Sequence, residues 1–236
     1  MTDPVDAARD LLEARRTGAL LTFLADGSKA VVDANGEVVA GAVPGDREVI
    51  TAAIGMIGAG RSGTVTSGSG EVFVEVLEPE PRLLIFGAGP IAESLCAMAS
   101  LVGFAVEVGD PRPAFARAER FPGAAAVRLG WPGDLIAGME PDQSTYAVSL
   151  LHEARFEDDL LPALLRSEAR YIGALGSRRT HAARSQRLEQ AGFSAEDVAR
   201  IHGPVGLDIG AATPAEIAVA ILGEVISARR GQPLAP

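Results

Sequence analysis

Residues 83–92 read Leu-Leu-Ile-Phe-Gly87-Ala88-Gly89-Pro90-Ile91-Ala92, an apolar run entering a G-x-G-x-x-A turn. That spacing suits a diphosphate. Gly87 permits the tight turn, Gly89 lets backbone approach the anion, and Ala92 lets a helix pack closely on the preceding strand. The amides at the start of that helix lack helical acceptors and face outward, and Pro90 suits the first helical turn. The plainer alternative is a glycine-rich turn that only packs a helix on a sheet. About twenty residues further on, Asp110 closes a second apolar run, where an acid accepts the ribose hydroxyls of a dinucleotide. Arg112 stands two residues later and would instead meet a phosphate on that ribose or lie on the surface, so both forms of the nicotinamide cofactor stay open.

Three further segments carry polar groups behind apolar runs. Ser149-Leu-Leu-His152 is one, and Gly173-Ala-Leu-Gly176-Ser177-Arg178-Arg179 is another. Arg178 and Arg179 fall in the first turn of a helix, where a cation opposes the dipole at a cost of roughly 0.3 kcal/mol or more unless an anion is near. A phosphate is one such anion and Glu153 is another. The third segment, Ile201-His202-Gly203-Pro204-Val205-Gly206-Leu207-Asp208-Ile209-Gly210, is too rich in glycine for a regular helix or central strand. It either brings His202, Gly206 and Asp208 to a ligand or merely positions the helix that starts at the capping box Thr213-Pro-Ala-Glu216. Lys29 is the only lysine, so neither Tyr146 nor Tyr171 has a Tyr-x-x-x-Lys partner, and His152, His181 and His202 are the proton donors left for an oxidoreductase.

The elements that must hold these residues alternate strand and helix from residue 82 onward. Strands are expected at 82–86, 104–108, 125–129, 145–150 and 171–175, with helices at 90–101, around 114–120, at 157–166 and 178–190, and from 213. Short apolar strands alternating with helices imply a Rossmann-type, doubly wound parallel sheet, whose ligands bind beyond the carboxyl ends of the strands. Ahead of it, a helix over 3–16, strands at 20–24, 30–33 and 37–40 joined by Asp26-Gly27 and Asn35-Gly36, a helix over 46–57 and a strand at 71–77 describe a small α+β unit. Glu78-Pro-Glu-Pro81 reads as the linker, giving domains 1–78 and 82–230.

The 236 residues are 47% hydrophobic and 22% charged, which describes an ordinary globular protein. A net charge of −10 argues against nucleic acid as a partner. The single cysteine, Cys96, excludes an internal disulfide and a cysteine metal cluster; it sits within the helix after the glycine turn and reads as a buried thiol. An acidic start without an apolar run and no membrane-length apolar stretch lead to a cytoplasmic expectation. No metal ligands and no catalytic residues are assigned.

Together, Phe86-Gly-Ala-Gly-Pro90, Asp110-Pro-Arg-Pro113, Phe121-Pro122, Tyr171-Ile-Gly-Ala-Leu-Gly-Ser-Arg-Arg179, Gly203-Pro-Val-Gly-Leu-Asp-Ile-Gly210 and Thr213-Pro-Ala-Glu-Ile-Ala218 resemble the XdhC/CoxI family, accessory proteins of molybdenum hydroxylases. The resemblance implies a Rossmann domain behind a smaller one, a homodimer, and binding of the molybdenum cofactor, as a pterin dinucleotide, for delivery to a xanthine or CO dehydrogenase type of partner. Alternatives from other classes are an NAD(P)-dependent oxidoreductase and a nucleotide-sensing regulatory module. Members of the family usually carry a Ser-Gly-Gly-Cys-Val-Glu-like segment after the first hairpins. Here Gly41-Ala-Val-Pro-Gly-Asp-Arg-Glu48 takes its place, without the cysteine.

Overall fold

The computed structural model describes residues 2–43, 47–68 and 70–231. Pro44–Asp46, inside the segment that departs from the family pattern, lie outside the described residues, as does the first residue of the helix expected over 46–57. Two compact units result: the described residues up to Pro79 together with those from Ser227 onward, and Glu80–Ile226.

In the first unit, α1 (Pro4–Glu13) is started by Asp3, whose carboxylate accepts from the Val5 amide at 2.8 Å. Strands β1 (Gly18–Phe23), β2 (Lys29–Asp33), β3 (Val38–Gly41), β4 (Gly63–Ser67) and β5 (Gly70–Leu77) form an antiparallel sheet in the order β3-β2-β1-β5-β4. Alternate strand residues face opposite sides. Leu21, Val32, Val72 and Val74 meet Val49, Ala53 and Ile57 of α2 (Arg47–Ala59), and Leu20 and Val31 meet Leu11 of α1. Strand β4 falls in the Gly- and Ser-rich stretch between the helix expected over 46–57 and the strand expected at 71–77. Its Thr-Val-Thr core is β-branched throughout and favours a strand, and pairing with β5 holds it as one despite the glycine and serine around it.

The second unit carries six parallel strands: β6 (Arg82–Phe86), β7 (Ala105–Asp110), β8 (Ala126–Leu129), β9 (Thr145–Ser149), β10 (Tyr171–Ala174) and β11 (Ile201–His202). Their order, β8-β7-β6-β9-β10-β11, is the 3-2-1-4-5-6 arrangement of dinucleotide-binding sheets. Leu83 to Phe86 are all at most 1% exposed, each burial being worth about 1.5–3 kcal/mol, which is why this strand is apolar on both faces. Helices α3 (Pro90–Leu101), α4 (Pro132–Met139), α5 (Ala154–Arg166), α6 (Arg178–Gln190), α7 (Ala195–Ala199) and α8 (Pro214–Arg229) complete the two units. Cys96 on α3 is 1% exposed, and burial pushes its thiol pKa up.

Three local expectations change. The helix expected around 114–120 is a single 3-10 turn, Ala118–Arg120, because Pro111, Pro113 and Pro122 leave too short a run to repay helix nucleation. Helix α4, which the pattern does not reveal, starts at Pro132 and buries Ile136 and Met139. Ile201–His202, expected as loop, pairs in parallel with Ile172 and Gly173. The capping box at Thr213 forms as expected: the Glu216 carboxylate accepts from the Thr213 amide at 2.8 Å, and the Thr213 hydroxyl accepts from the Glu216 amide at 3.3 Å.

Candidate functional site

Backbone hydrogen bonds link the strand ends into one continuous rim. Gly87 N donates to Gly109 O at 2.8 Å, Leu150 N to Phe86 O at 2.7 Å, Leu175 N to Ser149 O at 2.8 Å, and Val205 N to Ala174 O at 3.1 Å. The ends of β7, β6, β9, β10 and the chain after β11 therefore follow one another in that order. His152 lies exposed on this rim two residues after Leu150.

At the reversal of strand order, Gly87 takes φ +105°, and a Cβ there would stand 3.0 Å from the Leu150 carbonyl carbon. Ala88 and Ala92 are fully buried beneath α3. Gly89 precedes α3 with extended backbone, no side-chain cap, and nothing within 4 Å of where a Cβ would be. The first helical bond runs from Glu93 N to Gly89 O, so the amides of Ile91 and Ala92 have no helical acceptor and Pro90 brings none.

Asp110 does not face open space. Its Oδ1 accepts from the Arg112 amide at 2.8 Å and from Arg112 Nε at 2.9 Å; its Oδ2 accepts from Ala88 N at 2.7 Å and from Arg112 Nη2 at 2.8 Å. Burial by itself would raise this carboxyl, but the Arg112 and Ala88 donors outweigh it and hold the pKa below the usual 3.8. Arg112 is thereby committed to Asp110 and also stacks 4.0 Å from the Phe115 ring centre.

Farther along the rim, Gly176 takes φ +148°, and Ser177 caps α6 by accepting from Thr180 N at 3.1 Å. Arg178 and Arg179 form no ion pair among the described residues; Glu153 pairs with Arg155 at 2.8 Å instead. Arg178, Gly206 and Asp208 line a cavity of about 450 Å³ whose apolar walls include Leu175, Ile209 and Ile217. The sequence expectation of one crevice thus resolves into a rim with the glycine turn near its middle and this cavity toward β10 and β11.

His202 is not a wall of that cavity. Its Nδ1 lies 2.9 Å from Glu224 Oε1, its ring sits 4.7 Å from that of Tyr171, and Glu224 accepts from the Gly206 amide through Oε2. Burial pushes the Glu224 carboxyl up, yet His202, Gly206 and the nearby Tyr171 hydroxyl bring it below its ordinary value. Burial and the Glu224 charge raise the Tyr171 phenol. His181 packs against Gly203, and its pKa is lowered by burial and by Arg184. Glu224 is a residue that sequence reasoning misses; its signal is one acid inside the apolar run Ile221-Leu-Gly-Glu-Val-Ile226. The buried pair Arg184 and Glu157, 2.6 Å apart, is missed as well, and Arg184 additionally donates to Leu175 O at 2.8 Å, holding the end of β10.

Residues 83–225 match the XdhC Rossmann domain. The chain belongs to the XdhC family. A probable xanthine dehydrogenase subunit from Bacillus subtilis is 34% identical over 159 residues, covering 67% of the chain and 46% of the relative. The molybdenum cofactor insertion chaperone PaoD of Escherichia coli is 30% identical over 154 residues, covering 65% of the chain and 42% of the relative. This XdhC-family chain thus spans less than half the length of these curated relatives. The crystal structure of a xanthine dehydrogenase from Bacillus halodurans superposes with a TM-score of 0.66 at 27% identity, over 96% of this chain and 63% of that one. Among the described residues of the XdhC-family chain, no helix is long and apolar enough to cross a membrane.

Proposed function

We propose that this chain is a non-catalytic accessory protein that binds the dinucleotide form of the molybdenum cofactor and hands it to a molybdenum hydroxylase of the xanthine or CO dehydrogenase type. Its setting in this reading is cytoplasmic and its assembly a homodimer. One observation carries it: at the reversal of strand order, the space where a Gly89 side chain would stand is open, and it adjoins the N-terminus of α3, whose first amides have no helical acceptor. The names of the relatives point to the cofactor and to the hydroxylase partner. When bound, the cofactor supplies the molybdenum centre on which a hydroxylase depends; this chain's residues hold and orient its phosphates. Asp110 disfavours a nicotinamide cofactor, because Arg112 and Ala88 fill the acceptor positions that ribose hydroxyls would use.

Mass spectrometry of small molecules released from natively purified protein is expected to show a pterin nucleotide. A nicotinamide nucleotide, or none at all together with intact hydroxylase activity in a deletion strain, would overturn the reading. Two glycine substitutions separate binding from folding. Gly89→Val, placed in open space, is expected to change stability by no more than about 1 kcal/mol while weakening nucleotide binding on the order of tenfold. Gly87→Ala, forced into φ +105° against Leu150, is expected to cost about 1–3 kcal/mol. Thermal melts and ADP titration of both variants check the contrast.

A further inference from the structure

The cavity toward β10 and β11 has features that packing alone does not require. Arg178 and Asp208, of opposite charge, both line it, yet they are not within ion-pair distance of each other, and neither bonds to another described side chain. Apolar side chains stand open beside them, Ile209 being 55% and Leu207 36% exposed. The Glu224 bond to the Gly206 amide and the bond from Leu207 N to Ala220 O at 3.2 Å tie the lining loop to α8, so the wall is held in place before any ligand arrives. A volume of about 450 Å³ falls within the usual range for small-molecule sites.

We propose that this cavity is a second subsite, for a flat fused heterocycle that carries a 2-amino-4-oxopyrimidine edge and an anionic substituent, the chemistry shared by guanine nucleotides and pterins. The proposal rests on the nucleotide-binding reading above and extends it from the glycine turn to the other half of the sheet. A carboxylate accepts hydrogen bonds and donates none. The 2-amino-4-oxopyrimidine edge presents two adjacent N–H groups, which meet the two oxygens of Asp208 in parallel, a charge-assisted pairing of the stronger kind. Adenine presents one amino group beside ring nitrogens whose lone pairs would face the carboxylate, so it fits poorly. Leu175, Leu207, Ile209 and Ile217 offer apolar surface to the ring faces. Arg178 takes the anionic substituent, which also removes the cost of a cation in the first turn of α6.

The test uses the full chain. Titration with 6-carboxypterin, followed by the pterin's own fluorescence, reads the cavity, and ADP titration into wild type and Gly89→Val reads the glycine turn. Wild type is expected to bind 6-carboxypterin, and Asp208→Asn to weaken it by about tenfold or more. Arg178→Gln is expected to weaken 6-carboxypterin more than unsubstituted pterin. Neither side chain bonds within the described fold, so both variants should melt like wild type. Displacement of 6-carboxypterin by GMP identifies guanine as a source, and its absence identifies pterin; either supports the subsite. The proposal falls if neither GMP nor 6-carboxypterin binds, if AMP displaces 6-carboxypterin, or if Asp208→Asn binds 6-carboxypterin like wild type. Failure of wild type to bind ADP, or equal ADP binding by wild type and Gly89→Val, with the Asp208-dependent pterin signal intact, would refute the glycine-turn reading and leave the cavity standing.

Discussion

Replacing Arg184 with alanine is expected to lower the stability of the Rossmann unit by about 3–5 kcal/mol. The guanidinium is 1% exposed and meets the Glu157 carboxylate, 5% exposed, at 2.6 Å, so the substitution strands a buried negative charge. Arg187, at 3.5 Å and partly exposed, is a poor substitute. The Leu175 carbonyl also loses its donor, which loosens the end of β10 beside the cavity. The single tryptophan supplies the readout: Trp131 packs edge-on against Phe156, 4.9 Å away on the same helix as Glu157, and bonds to Asp159. Urea unfolding followed by its fluorescence should show the midpoint fall sharply. The double substitution Glu157→Met with Arg184→Met removes both charges and should lose much less. Equal losses in the single and double variants would show that the lost interaction of the pair, and not a stranded charge, sets the cost.

Asp110→Asn is expected to cost about 2–3 kcal/mol at pH 7, because an amide offers one acceptor oxygen where four donor contacts converge and points its own N–H groups at others. Its pH dependence separates this loss from a general loosening. The folded carboxyl titrates below its ordinary value, while in the unfolded chain it returns to about 3.9. The unfolded chain therefore binds more protons as the medium turns acid, and the contribution of Asp110, complete above about pH 5, is lost as pH falls through the folded pKa. Wild type and variant should differ fully above about pH 5, begin to converge near pH 4 and meet only as the pH falls through the folded pKa. A constant gap across that range, measured by the same fluorescence, would rule out the carboxylate as the source. Since Asp110 holds the Ala88 amide, the variant should also bind ADP more weakly.

Much of this arrangement could be read from local pattern. The strand, glycine turn and helix at 82–101 obey short-range rules, in which apolar continuity, positive-φ glycines and a first-turn proline act within a few residues. The parallel sheet follows from repeated alternation of strand and helix. Weaker signals failed where the reason for an element lies elsewhere in the chain. Strand β4 exists because β5 pairs with it, and α4, with Gly133 and Gly138 among its eight residues, exists because Ile136 and Met139 find a core built by β6, β9 and α5.

The candidate site divides in the same way. The sequence by itself determined which residues stand at strand ends, because the period of the strands and the glycines that end them are written locally. Only the tertiary structure decided what those residues can still do. It turned Asp110 inward onto Ala88 and Arg112, left Arg178 and Asp208 facing one cavity without side-chain partners among the described residues, and set Glu224 behind the loop that lines it. Hydrogen-bond capacity is finite, and whether an acid is spent inside the protein or kept for a ligand depends on donors that folding brings from distant segments.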